Sequence, residues 1–334
     1  MTLIAGIRGV NKSYIAADSR QSYVNNGVII SSDDGVKKWV NHGPFSLTAV
    51  AGDAQLAAFI TRRLVEMLGV NPTYPDVRRA FDSELIRLAT EYNQETGRYC
   101  SCVIMLAGFD ANKMDEFDAG RLGAVLGAGV KAKGEGVTVN QHIDSEIIKS
   151  MSYAMTMADI FRRELRIGSK VKLNRPKSEL TGYRINVNSD GVDIDVDEAD
   201  NFEALFYGAD SAFNRITLPD EIISELYFRD ITGHTEESII KADTMQLFVF
   251  IKTIIEERSY ENVGGGIFPV MMTPTGGSYY AGGITKKSTI TGVEEQVRDS
   301  EVIDGKICYK DVSGEMKQYK SLLDIADESG FTVL

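Results

Sequence analysis

Histidine, cysteine and tryptophan are scarce in this 334-residue chain, with three, three and one respectively. Cys100, Cys102 and Cys308 are too few for a disulfide framework. Cys100 and Cys102 have one residue between them, not two, and no histidine cluster accompanies them, so no metal site is expected. His42, His142 and His234 are scattered and read as surface residues. No apolar run approaches the ~18 residues that cross a bilayer, and the first residues lack the basic start and apolar core of a signal peptide. The expected location is therefore the cytoplasm, with no membrane partner. Positive charge is also short, with 36 Lys and Arg against 48 Asp and Glu, a net charge of −12. That argues against a nucleic-acid partner, which needs a basic face, and suits cationic or neutral substrates. The glycines between 120 and 136 lack the GK[ST] ending of a phosphate loop. No cofactor is expected.

What is present is the composition of a globular protein, 43% apolar and 25% charged. Residues 1–52 read as strands, with short β-branched runs at 3–7, 14–17, 28–30 and 45–51 cut by Gly and Asn. Asp53 caps a helix over 54–68 with Leu56, Phe59, Ile60, Leu64 and Leu68 on one stripe, and Gly69 ends it. A second helix starts near Tyr74-Pro75-Asp76, where proline suits the first turn. The near-continuous apolar run 102–107 reads as a strand buried on both faces. A Gly-rich stretch then leads into an amphipathic helix over 145–166, followed by a basic linker at 170–177. A hairpin of 183–187 and 192–196 turns at Ser189-Asp190-Gly191. Asp193, Asp195 and Asp197 share one face of its second strand, where a solvated edge is the reading and a cation site the alternative. Further on come a strand at 204–207, a turn at 208–211, a helix over 242–258 and a strand at 267–272. The tail from 276 has short strand-like pieces and one helix candidate near 322–327. There is no internal repeat.

The start of the chain carries the chemistry. Thr2 comes directly after Met1. Removing that methionine leaves a hydroxyl nucleophile and a free α-amine on one residue, and the amine can take the hydroxyl proton. Such an amine titrates near pH ~8, so much of it serves as base at neutral pH. Strand, turn and second strand would bring Asp18 back beside the chain start.

These residues resemble a family. Thr2-Leu3-Ile4-Ala5-Gly6-Ile7, then Ala16-Ala17-Asp18-Ser19-Arg20, then Val36-Lys37-Lys38-Trp39 and Ala49-Val50-Ala51-Gly52-Asp53 match the pattern of the proteasome β-subunit and of the peptidase ring of the bacterial two-component ATP-dependent protease. Both are N-terminal nucleophile hydrolases. The resemblance is strongest over the first 110 residues and fainter over 200–272, where Gly208-Ala209-Asp210-Ser211 is similar to the family's serine-bearing turn. It implies an α+β fold, a four-layer αββα sandwich, over residues 1–275 with an insertion at about 111–180. Residues 276–334 form a β-rich C-terminal extension. It implies a threonine-type endopeptidase in which Thr2 Oγ attacks the scissile carbonyl. Lys38, as a nearby cation, keeps the amine unprotonated, and Asp18 holds and balances Lys38. The backbone N–H of Gly52 serves as oxyanion donor. Ser211 positions a water near the amine, and Ser22 lies on the strand whose backbone pairs with an extended peptide. Lys38 is preferred to Lys37 on spacing. The partners implied are a peptide or protein substrate, further copies in a homo-oligomeric ring, and a separate ATPase unfoldase, since the chain has no ATPase motif. Two alternatives use the same fold: a catalytically silent assembly subunit, and a transpeptidase that passes the Thr2 acyl group to an amine.

Overall fold

A computed structural model of the protein describes residues 3–8, 13–25, 28–33, 35–118, 170–200, 203–208, 215–217, 267–272, 278–280, 286–287, 294–295, 300–303, 306–310, 313–318 and 320–321. The strands begin with β1 (Ile4–Arg8), β2 (Ser13–Asp18), β3 (Gln21–Asn25), β4 (Val28–Asp33), β5 (Val36–Lys37), β6 (Trp39–Asn41) and β7 (Ser46–Gly52). Helices α1 (Ala54–Leu68) and α2 (Tyr74–Thr96) come next. Then come β8 (Cys100–Asp118), β9 (Lys170–Asn188), β10 (Gly191–Glu198), β11 (Glu203–Tyr207), β12 (Arg215–Thr217), β13 (Ile267–Met272) and β14 (Ser278–Tyr280). Six short strands end the series: β15 (Lys286–Lys287), β16 (Glu294–Glu295), β17 (Ser300–Ile303), β18 (Lys306–Lys310), β19 (Met316–Gln318) and β20 (Lys320–Ser321). The expected helices over 145–166, 242–258 and 322–327, and the glycines of 120–136, lie outside the described residues.

The protein is α+β. Six strands form one sheet in the order β12-β11-β1-β2-β13-β14, and five form another in the order β10-β9-β8-β7-β6. Strand alternation sends successive side chains to opposite faces, and the two sheets use this to share a core. Ile4, Ile15, Ala17, Leu205 and Val270 of the first sheet meet Leu47, Ala49, Met105, Ala107 and Leu180 of the second. The other face of the five-stranded sheet presents Val50, Ile104, Leu106, Tyr183 and Ile185 to α1 and α2. Leu56, Phe59, Ile60 and Leu64 on α1, and Val77, Phe81, Leu85 and Tyr92 on α2, fill that layer. Each fully buried side chain of this size contributes roughly 1.5–3 kcal/mol. Gly6 sits where the two sheets come close, since a Cβ there would lie 2.5 Å from Met105 Sδ.

Helix boundaries are set by local chemistry. Asp53 Oδ1 accepts from the N–H groups of Gln55 (3.0 Å) and Leu56 (2.9 Å) at the start of α1, and Gly69, at φ +67°, ends it. Thr73 and Asp76 form a capping box at the start of α2, with Pro75 in the first turn, and Gly97 closes it in the left-handed region.

One expectation about the strands is overturned. Residues 170–177 are not a linker but the first part of β9, paired with β8 from Asp118↔Lys170 onward. The ladder shifts register where Pro176 stands opposite Met114, because proline has no N–H to donate and forces a local break. The described ends of the 111–180 segment therefore prolong the central β8–β9 pair. β10 is the edge of its sheet. Asp193 and Asp195 are exposed on it, while Asp197 Oδ2 accepts from the hydroxyl of Tyr207 at 3.0 Å.

Candidate active site

The β1–β2 hairpin sets the site by register. Ile4 pairs with Ala17, so the next step along each strand brings Leu3 and Asp18 together. Asp18 N–H donates to Leu3 C=O at 3.1 Å, and Leu3 N–H donates to Asp18 Oδ1 at 2.9 Å. That nitrogen belongs to the peptide bond joining Thr2 to Leu3. Asp18 is fully buried, and its carboxylate has a second partner, since Lys38 Nζ donates to the same Oδ1 at 2.8 Å.

Lys38 is 4% exposed. It occupies the one-residue break between β5 and β6, and hydrogen bonds hold the chain before it and its own carbonyl. Val36 N–H donates to Ser19 C=O at 3.2 Å, and Val50 N–H donates to Lys38 C=O at 2.9 Å. Its ammonium also donates to the C=O of Arg20. A buried charge of either sign is costly alone, and this pair plus its hydrogen bonds offsets that cost. Lys37 points elsewhere, with its Nζ 4.4 Å from the centre of the Trp39 ring.

Gly52 ends β7 with φ +91° and is exposed. N–H groups two residues apart on a strand point to the same edge. The Gly52 N–H therefore points to the edge on which Val50 N–H meets Lys38. A side chain is barred here twice over, by the positive φ and because a Cβ would lie 2.6 Å from Ser101 C=O. Ser22 sits on β3 opposite Ser32 of β4. Its buried Oγ has no hydrogen-bond partner among the described residues. Among the described strands β3 pairs only with β4.

Thr2 and Ser211 lie outside the described residues, so the structure brings together Asp18, Lys38 and the nitrogen just after Thr2. Other chain segments converge on the same end of the sheet. Tyr207, one residue before Gly208, pairs with Ile4, and Ile267 pairs with Asp18.

One residue beside this frame and one at the far end of β6 have places that the sequence did not foretell. Arg98 is joined to Asp53, next to Gly52, at 2.9 Å. No motif marks it, because the contact spans 45 positions. His42 was expected at the surface, but it is 4% exposed. The chain turns after β6 and tucks its ring against Phe81, with ring centres 6.1 Å apart. His142 and His234 lie outside the described residues. Among those residues no group of three or more His, Cys, Asp or Glu is arranged to hold a metal ion, and no helix is long and apolar enough to cross a membrane. Burial pushes the Cys100 thiol up to about 11 and Cys102 well above the ordinary thiol range, so neither is a thiolate at neutral pH. No protein-family model and no curated protein matches this chain.

Proposed function

We propose that this chain is a threonine-type peptidase of the N-terminal nucleophile class. After Met1 is removed, Thr2 Oγ attacks a peptide carbonyl carbon while its proton passes to the Thr2 α-amine. The carbonyl oxygen takes the negative charge and is met by the Gly52 N–H. The C–N bond then breaks, the leaving amine takes the proton from the Thr2 ammonium, and an ester to Thr2 remains. Water attacks that ester, its proton going to the α-amine and then back to Oγ as the acid is released. Lys38 supplies the fixed positive charge that favours an unprotonated amine, and Asp18 anchors Lys38. Ser211 would place the water, and Ser22 lies on the strand that would pair with the peptide.

The observation that carries this reading is the shared Asp18 oxygen. One buried carboxylate oxygen holds both the Lys38 ammonium and the N–H of Leu3, at 2.8 and 2.9 Å. A hairpin needs no buried ion pair to close, and apolar residues of the same size would be as stable or more so. Retaining a cation beside the chain start fits a task for it there. The finer fold, a fourth layer of helices, belongs to the same reading. It is supported by burial of the other face of the six-stranded sheet, where Leu3, Ala5, Ile7, Ala16 and Phe206 are all under 8% exposed. A homo-oligomeric ring in the cytoplasm, a peptide or protein substrate and a separate ATPase unfoldase go with it.

The test is intact mass spectrometry before and after treatment with a peptide epoxyketone, which needs both the hydroxyl and the free amine of one residue. The expected result is loss of Met1 and one adduct, absent in Thr2→Ala. Lys38→Ala should label far more slowly than wild type, and Lys37→Ala at the wild-type rate. Lys38→Ala strands a buried carboxylate at a cost of about 3–5 kcal/mol, so its fold is checked by near-UV circular dichroism, and Thr2→Ala decides if it unfolds. Retained Met1 without an adduct would overturn the proposal in favour of a silent assembly subunit.

A further inference from the structure

We infer that Arg98 is a positioning residue for the Gly52 N–H, acting through Asp53. This rests on the acyl-transfer reading above, in which that N–H meets the developing oxyanion. The corner from Gly52 to Asp53 is where β7 becomes α1. One oxygen of Asp53 is already used by the helix cap, accepting from Gln55 and Leu56 N–H. The other, Oδ2, accepts from Arg98 Nη2 at 2.9 Å. Arg98 Nη1 donates to Gln55 Oε1 and lies 3.1 Å from the hydroxyl of Tyr92 on α2. The Asp53 N–H donates to Ser101 C=O at 2.8 Å. A single guanidinium thus ties the residue after Gly52, the first turn of α1 and a buried ring of α2 into one unit.

Stability alone is a weak reason for this fork. The side chains of Arg98 and Asp53 are 46% and 18% exposed, and ion pairs so open to water contribute little. Orientation is the stronger reason. Glycine at φ +91° has no side chain to limit its torsions, so the peptide plane that carries its N–H keeps its tilt only when both flanks are held, by the β7 pairing before it and by Asp53 after it. An oxyanion donor must hold its place to a few tenths of an ångström. Fixing Asp53 from two directions fixes Gly52.

The test compares Arg98→Ala and Arg98→Lys with wild type in hydrolysis of a fluorogenic peptide by the full chain. Arg79→Ala serves as control, because Arg79 is a 75%-exposed arginine on α2 that pairs only locally. The expected result for Arg98→Ala is a kcat lower by about tenfold, with KM and the unfolding midpoint near wild type. Millimolar guanidinium should recover part of the rate, and the control should be unchanged. A purely structural role would move the midpoint and give no rescue. Active wild type with Arg98→Ala equal to it in kcat, or with kcat lost and no rescue by guanidinium, overturns this inference alone. Wild-type protein that neither hydrolyses peptide nor takes the epoxyketone removes the acyl-transfer reading and this inference with it.

Discussion

Burial rather than position in the sequence decides what His42 does. Its Nε2 lies 2.8 Å from Thr48 Oγ1, its Nδ1 has no partner among the described residues, and burial lowers its pKa to about 4. In the unfolded chain the same ring titrates near 6.5. Between those values the unfolded state binds more protons, so stability is fully present above pH ~6.5 and is lost as pH falls towards 4. From pH 8 to pH 5 this one residue should remove about 2 kcal/mol. Urea unfolding at the two pH values should show that loss in wild type and a smaller one in His42→Gln, which keeps a partner for Thr48. Equal losses in both proteins would mean that other groups carry the acid sensitivity. Asp18 and Lys38 differ from His42 in how they can be found. Asp18 comes next to Leu3 through the register of the β1–β2 pair, two strands close together in sequence, which can be counted along it. His42 is buried by a bend after β6, and no periodicity records a bend.

Helix ends show the same division between local and distant causes. Asp53, Gly69 and Pro75 could be read as caps and breakers because a cap acts on residues two to four positions away. Strand pairing has no such limit. The 170–177 segment is rich in lysine and contains Pro176, and only its pairing with β8 makes it a strand. β20, late in the sequence, runs parallel to β5, with Ser321 opposite Lys37. It therefore flanks the segment that leads to Lys38, a placement that spans most of the chain and leaves no sign in composition. The two N-caps also differ in their surroundings. Thr73 closes a capping box with Asp76 and no more, whereas Asp53 caps α1 and holds Arg98. Thr73→Ala and Asp53→Ala should each lower stability by about 1 kcal/mol, measured by denaturant midpoint. Only Asp53→Ala should also slow peptide hydrolysis. Equal activity in the two variants would reduce Asp53 to a cap.

At the scale of the molecule the layers differ in how firmly they are held. β1 lies between β11 and β2, and all five of its residues are buried. β8 lies between β7 and β9 in the other sheet. The layers approach closely where glycine permits it: Gly108 lies under Tyr74 and Gly182 under the Tyr207 ring, where a Cβ would fall 2.1 and 2.0 Å from the ring or its hydroxyl. The β3–β4 hairpin is built otherwise. It forms a two-stranded sheet with a register shift between Tyr23 and Val24, and Tyr23 and Ile30 are 40% and 67% exposed. A hairpin of that kind is marginal without further cover. Opening is local where buried contacts are few and global where they are many. Hydrogen exchange should therefore find the amides of β1 and β8 slowest, opening only with the whole molecule, and those of β3 and β4 faster by orders of magnitude. If β3 is the strand that takes up an extended peptide, the epoxyketone adduct should slow exchange at 21–25 and leave the exposed edge β10 unchanged. Protection that rises equally on β3 and β10 would point to general stiffening, and no change on β3 would place the peptide elsewhere.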